Sequence, residues 1–393
     1  MLIPSQFRLL VHHHDIAYVD AEGIPWLTAG IGRWVSALAD YFQEVGLLVY
    51  QSTKPLPRQD TPLNKKNVCL YSLGAPGHYW DHIPRMRRLR RVCQQVGQHM
   101  DGLLIRGVTP RQYSVWRFTP VPRKAFLLVG SLGKDFLQLD GLLIGFFSAV
   151  MARQYLRELR NIANQGALLM ANSPVLVSEI DTLLEKKAYF VPTNSLQRDE
   201  FAPFQVRGVT DPWKLLYCGR LDLKKGLREL FQAVAILKDQ GQLCQVDMVA
   251  QTKEPIYSQL VDLAKQLQIT DQICWHGLVP YGAELFKFYQ RAETLILPTY
   301  TEGFPRVIWE AAANCCPVIT TAVGGIPALW EHEKHGLLIP PKDADAIVSA
   351  IRRIFLEDTL RHRLIEQAYQ HALDFTVEAC ARKLTDTLSE EWN

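Results

Sequence analysis

The stretch Lys214–Gln240, KLLYCGRLDLKKGLRELFQAVAILKDQ, decides how the rest of the chain is read. Lys214–Cys218 is a short aliphatic run. Leu227–Gln240 places apolar residues at helical spacing. Between them lies a polar turn bounded by Gly219 and Gly226. A strand that passes through a glycine-marked turn into an amphipathic helix is the unit of a parallel sheet covered by helices. Working outward, the same alternation recurs. Gln245–Val249, Gln272–His276, Thr294–Leu297 and Pro317–Thr321 read as strands. Ile256–Leu267, Gly282–Arg291 and Val307–Asn314 read as the helices between them. Upstream, Leu9–His12, Leu47–Gln51, Val68–Ser72, Leu103–Arg106, Ala125–Gly130 and Ala167–Ala171 read as strands, and Gly30–Val45 as a helix.

The chain has 393 residues, about twice a common domain length of ~100–200. Two tandem α/β units are expected, facing each other across a cleft. The boundary falls in the aperiodic stretch Phe190–Phe204, which contains Pro192 and Pro203. This gives an N-terminal domain at 1–192 and a C-terminal domain at 193–374, with an amphipathic tail helix at about 375–393 packing back onto the first domain. The balance of 48% hydrophobic and 21% charged residues is that of a packed globular protein and excludes a disordered or fibrous chain. The net charge of +3 gives no sign of a nucleic-acid partner, but the charge is uneven: residues 1–205 carry +7 and the remainder −4. None of the eight cysteines has C-x-x-C spacing, and reduced core thiols in a cytoplasmic protein are expected. No secretory signal is evident at the N-terminus. The uncharged, mostly apolar run Gly141–Ala152 falls short of the ~20 residues that a membrane span needs.

Three motifs carry chemistry. In the turn after Cys218, Arg220 and Lys225 place two cations near a helix N-terminus, a pairing suited to a diphosphate; a solvated loop with a capping glycine is the bland alternative. In Thr299–Glu310, Glu302 follows a strand and Glu310 lies eight residues on, inside the next helix. Carboxylates accept charge-assisted hydrogen bonds from sugar hydroxyls. A surface helix position is the alternative for Glu310, although its apolar neighbours argue against plain exposure. Gly324-Gly325 before Ile326-Pro327 is a tight turn.

The ordered set GRLDLKKG (219–226), PTYTEGFPRVIWEAAANCCPVITTAVGGIP (298–327) and HGLLIPPKDADAIVSAI (335–351) resembles the retaining glycosyltransferases of family 4. The match is specific over Lys214–Ile351 and faint elsewhere. The resemblance implies a GT-B fold, with two doubly wound Rossmann-like domains, and a metal-independent hexosyltransferase without cofactor. Its substrates would be a UDP- or GDP-sugar and a cell-surface glycan or lipid-linked acceptor. Carried over by motif, Arg220 and Lys225 would hold the diphosphate, and Glu302 would contact the sugar beside the backbone of Gly303, Phe304 and Pro305. Glu310 would bind the ribose, and the turn His276-Gly277-Leu278 would cradle the base. Gly30-Ile31-Gly32-Arg33 resembles the family's N-terminal glycine loop, on the acceptor and phosphate side. Three departures stand out. Ala250-Gln251-Thr252 replaces a glycine-rich turn, Cys315-Cys316 stands where a small residue or glycine is usual before the Pro-Val strand, and Ile105-Arg106-Gly107 lacks the family's histidine, leaving Arg106 in its place.

His12-His13-His14 follows the first strand, but adjacent histidines on extended chain point to opposite faces and make a poor metal site. Asp343-Ala344-Asp345 precedes an apolar helix and reads as a cap rather than a metal motif. Arg85, Arg87, Arg88, Arg90 and Arg91 crowd one helix, either as a solvated face or as a contact to an anionic membrane surface or phosphorylated lipid acceptor. A peripheral location on the inner membrane face follows from the second reading. Rival functions are a nucleotide-sugar epimerase of the same fold, a non-catalytic nucleotide-sugar-binding protein, and a Rossmann oxidoreductase. The last lacks the third glycine of G-x-G-x-x-G after its first strand.

Overall fold

The computed structural model describes residues 6–56, 59–75, 82–107, 111–130, 142–252 and 255–392, with backbone alone at 82–85 and 142–151. The side chain of Arg85 and those of the apolar run 142–150 thus lie outside the described residues. The chain divides into two compact units, Met1–Ser195 with Val377–Asn393, and Leu196–Thr376.

The N-terminal unit runs β1 (Arg8–Val19), β2 (Pro25–Thr28), α1 (Ala29–Leu38), β3 (Glu44–Ser52), β4 (Gln59–Pro62), β5 (Val68–Ser72), α2 (His82–Gly97), β6 (Gly102–Arg106), α3 (Gln112–Phe118), β7 (Arg123–Leu128), α4 (Leu142–Asn164), β8 (Leu168–Ala171), α5 (Pro174–Leu184) and β9 (Ala188–Phe190). Its central strands are parallel, with β1 between β3 and β6. They are aliphatic on both faces because both faces are covered. Leu9 and Val11 enter a core with Trp34, Val35 and Leu38, whereas Leu10 enters the opposite core with Leu103, Ile105 and Phe126.

Three sequence readings need correction here. The sheet is not wholly parallel, because β2 pairs antiparallel with β1 and with β4. The helix read at Gly30–Val45 ends at Leu38. Its apolar stripe continues to Phe42, but Asn67 Nδ2 donates to the carbonyls of Ala39 (2.7 Å) and Phe42 (3.0 Å), and Val45 already pairs with Leu9 and Val68. The three histidines lie inside β1 rather than after it, where the pairing with β3 shifts between His12 and Ile16.

The C-terminal unit runs β10 (Trp213–Cys218), α6 (Leu227–Asp239), β11 (Cys244–Val249), α7 (Ile256–Gln266), β12 (Ile273–Gly277), α8 (Ala283–Arg291), β13 (Thr294–Leu297), α9 (Arg306–Ala313), β14 (Val318–Thr321), α10 (Ile326–Leu329), β15 (Leu337–Ile339), α11 (Ala344–Leu356) and α12 (Asp358–Leu373). The sheet order is β12-β11-β10-β13-β14-β15, all parallel. The chain moves outward from β10 to β12, then returns to the other side of β10 as β13. The strand order therefore reverses between β10 and β13, and in open parallel sheets ligands bind at the carboxyl ends of the strands that flank such a reversal. The Asp343 side chain accepts from the Ala346 amide at 2.9 Å and caps α11.

The last helix, α13 (Val377–Trp392), belongs to the N-terminal unit and buries Val377, Ala381, Leu384 and Leu388 in the core beside α1. Trp392 stacks on Phe7 with centroids 5.6 Å apart. Leu384 is fully buried and Leu356 is 69% exposed. Leu384→Ala is expected to cost about 3 kcal/mol of stability and Leu356→Ala less than about 0.5, as read from urea unfolding midpoints.

Candidate active site

Three loops meet at the carboxyl edge of β10, β13 and β14. The first leaves β10 through Gly219, forms a tight 3-10 turn over Leu223–Lys225 and enters α6 through Gly226 in a left-handed conformation (φ 67°). Asp222 caps the turn by accepting from the Lys224 amide (2.9 Å), and the Tyr217 hydroxyl donates to the Arg220 carbonyl (2.6 Å). The second loop, Pro298–Pro305, is tied to the first by the Tyr300 amide, which donates to the Lys224 carbonyl (2.7 Å). The Thr299 hydroxyl reaches the same carbonyl at 3.3 Å. The third, Ala322–Gly325, lies against the second: the Gly325 amide donates to the Gly303 carbonyl at 2.9 Å.

Glycine makes this contact possible. A Cβ at Gly226 would strike the Pro298 carbonyl oxygen, one at Gly324 the Glu302 carbonyl oxygen, and one at Gly325 the Gly303 carbonyl oxygen. The Gly324-Gly325 turn thus lets the chain approach its own backbone, and its neighbour is the loop that carries Glu302.

The result is that the Lys225 ammonium and the Glu302 carboxylate, 77 residues apart, form an ion pair. Both side chains are mostly buried, at 13% and 18% exposure. Arg220, in the same turn as Lys225, is exposed. Gly303 is exposed, whereas the Phe304 ring is anchored by stacking on Trp309 (4.8 Å, 28°). Pro305, in extended backbone, precedes the first residue of α9.

Glu310 faces inward from α9 and is 5% exposed. It accepts from the Tyr289 hydroxyl at 2.8 Å and lies 3.7 Å from Arg306 Nη2. Burial raises its carboxyl pKa, and Arg306 and Tyr289 oppose that shift. His276 lies on the edge strand β12, with Nε2 2.7 Å from Asp247 Oδ1. Gly277 is left-handed (φ 69°), and Leu278 is 71% exposed.

The N-terminal candidates sit differently from their reading. Gly30, Gly32 and Arg33 lie inside α1, not in a loop before it. A Cβ at Gly32 would come 2.6 Å from Thr61 Cγ2, so that glycine serves packing against β4, whereas Gly30 has open space beside it. Arg33 Nη1 donates to the Ser195 carbonyl at 3.0 Å. Arg106 is buried at the end of β6, with its guanidinium carbon 4.6 Å from the Trp34 ring centroid. His12 and His13 are buried, and among the described residues no group of three or more His, Cys, Asp or Glu could hold a metal ion. Tyr217, Tyr289 and Asp247 are contributors that motif spacing does not reveal.

Residues 199–371 match the model of the glycosyl transferases group 1 family. This chain carries a group 1 glycosyltransferase domain. The chain is similar to an uncharacterized glycosyltransferase of Methanocaldococcus jannaschii (29% identity over 162 residues, 41% of this chain and 40% of that protein). It is also similar to a putative colanic acid biosynthesis glycosyltransferase of Escherichia coli (26% identity, 55% of this chain and 54% of that protein). The chain thus matches about half the length of these curated relatives. The Anabaena protein HepE, solved in complex with UDP, matches 98% of this chain and 100% of its own with a TM-score of 0.69 at 16% identity. The fold is accordingly GT-B.

Two outcomes follow for the domain. Gly324→Ala forces a Cβ into the Glu302 carbonyl at a left-handed position (φ 57°). It is expected to cost at least about 2 kcal/mol by urea unfolding, more than Gly241→Ala, which is left-handed (φ 83°) but has open space. Behind the Phe304–Trp309 stack, His335 and His371 stack face to face at 4.0 Å. Burial lowers the His335 pKa to about 4 from 6.5 and also lowers that of His371. The fold therefore favours the neutral rings. Their contribution is intact above pH 6.5 and is lost as pH falls toward 4. Unfolding midpoints measured across that range should fall, and His335→Phe should flatten the fall.

Proposed function

We propose that this protein is a retaining, metal-independent glycosyltransferase that moves a hexosyl group from a UDP- or GDP-sugar to a hydroxyl of a glycan or lipid-linked acceptor. The observation that carries the reading is the Lys225–Glu302 ion pair at the reversal between β10 and β13, with exposed Arg220 in the same turn. Support comes also from HepE, solved with UDP and with UDP-glucose, and from the colanic acid relative.

In the proposed reaction the bond between the anomeric carbon and the diphosphate oxygen breaks, and charge accumulates on the leaving diphosphate. Lys225 and Arg220, beside the start of α6, stabilise that charge. Glu302, released from Lys225 by the stronger anion, accepts hydrogen bonds from the sugar hydroxyls, with the Gly303 and Phe304 backbone alongside. Glu310 holds the ribose through Oε1, the oxygen facing Arg306, and His276-Gly277-Leu278 borders the base. The acceptor oxygen bonds to the anomeric carbon from the face that the leaving group vacates. Its proton passes to the departing phosphate oxygen, and a nucleoside diphosphate leaves. Arg106 and the first turn of α1, with Gly30, serve the acceptor and phosphate side. No helix among the described residues is long and apolar enough to cross a membrane. The exposed Arg87, Arg88, Arg90 and Arg91 of α2 suit an anionic membrane surface, which would place the enzyme on the inner face of a membrane carrying its acceptor.

The test is release of nucleoside diphosphate from a panel of UDP- and GDP-sugars. Lys225→Ala and Glu302→Ala are each expected to lower turnover by at least ~100-fold, with Leu356→Ala unchanged. Full turnover in both variants removes the assignment. Conversion of the donor to its epimer without acceptor would replace transfer with epimerisation.

A further inference from the structure

The N-terminal sheet reverses its strand order between β1 and β6: the chain passes from β1 to β3 and β5, then returns to the other side of β1. Arg106 ends β6 at that point. Its side chain is 8% exposed, and Nε is buried without a hydrogen-bond partner. Fully buried Trp34 lies beneath the guanidinium. Among the described residues no carboxylate forms an ion pair with Arg106. The charge of Asp15 reaches it, but the Asp15 oxygens accept from the Ile16 amide (3.1 Å), the Thr28 amide (3.3 Å) and the Thr28 hydroxyl (2.7 Å). The other titratable neighbours offer no counter-charge. His13 and His14 on β1 are pushed toward the neutral form by burial, and burial pushes the Cys380 thiol of α13 up to about 12.

A buried cation whose carboxylate neighbour Asp15 is committed to other donors is destabilising, and such costs cluster where a protein meets its ligand. The planar guanidinium, oriented by an aromatic ring, presents paired N–H donors that match an oxyanion. We infer that Arg106 binds an oxyanion of the acceptor, a phosphate or a carboxylate, so that the acceptor is an anionic saccharide or a phosphorylated carrier. This rests on the N-terminal unit being the acceptor side. It supplies a selectivity that the donor residues do not.

The experiment is thermal unfolding of the full chain in sodium phosphate, sodium glucuronate and sodium chloride at equal ionic strength. It is run on the wild type, Arg106→Met, Arg106→Lys and Lys225→Ala. The wild type should melt about 4 °C higher in at least one oxyanion than in chloride. Lys225→Ala should keep that gain, Arg106→Lys part of it and Arg106→Met none, with Arg106→Met melting at or above the wild type in chloride. A gain in phosphate alone identifies a phosphorylated acceptor, in glucuronate alone a uronic acid, and in both a general oxyanion site. The inference is overturned by the absence of a gain in the wild type, by an equal gain in Arg106→Met, or by a gain that Lys225→Ala abolishes. It is also overturned if Arg106→Met fails to fold or melts below the wild type in chloride, because Arg106 is then a structural cation. Melting does not depend on turnover, so this outcome is separate from the fate of the Lys225 and Glu302 assignments.

Discussion

A lysine and a glutamate 77 residues apart, both mostly buried, neutralise each other at the carboxyl edge of the C-terminal sheet. Two charges withdrawn from water are tolerable only when held together. The rest of the local structure can be understood as what holds them. β10 and β13 are neighbours, so their loops emerge side by side. Gly226 lets the first loop close on Pro298, Gly324 and Gly325 let the third press on Glu302 and Gly303, and Tyr217 fixes the Arg220 carbonyl. In the proposed reaction this pair is the one exchanged. A diphosphate carries more charge than one carboxylate and competes for Lys225, and that exchange would turn a resting contact into a binding event.

The two units use one topological device. In each, the strand order reverses beside the first strand, and a cation stands at that place: Lys225 beside β10 and Arg106 at the end of β6. Their surroundings differ in kind. Lys225 has a carboxylate partner and Arg106 has an aromatic one. The first arrangement suits a site that must release its own counter-ion to bind. The second suits a site whose counter-ion arrives with the ligand.

Much of this was legible in the residues. The strand–turn–helix rhythm of Lys214–Gln240 fixed the fold class, because parallel strands buried on both faces are aliphatic runs and their covering helices are amphipathic. The helix read at Gly30–Val45 was too long because apolar spacing continued through a turn that Asn67, distant in sequence, closes. β2, β4, β9 and β15, of three or four residues each, were not legible as strands. Within the site, Arg220, Lys225, Glu302 and Glu310 were marked by residue type and spacing, but that Lys225 meets Glu302 was not, because spacing along the chain says nothing about which loops share an edge. Gly324-Gly325 was legible as a turn, whereas its role as a seat for the Glu302 loop required the backbone positions. Tyr289 beneath Glu310 carried no local signal at all.

The central claim is that the loops after β10 and β13 form a diphosphate site. A crystal structure with a nucleoside diphosphate bound tests it most directly. The account predicts phosphate oxygens within hydrogen-bond distance of the Lys225 ammonium and the Arg220 guanidinium, with Glu302 no longer paired to Lys225. A diphosphate bound elsewhere, with the Lys225–Glu302 pair intact, would contradict it.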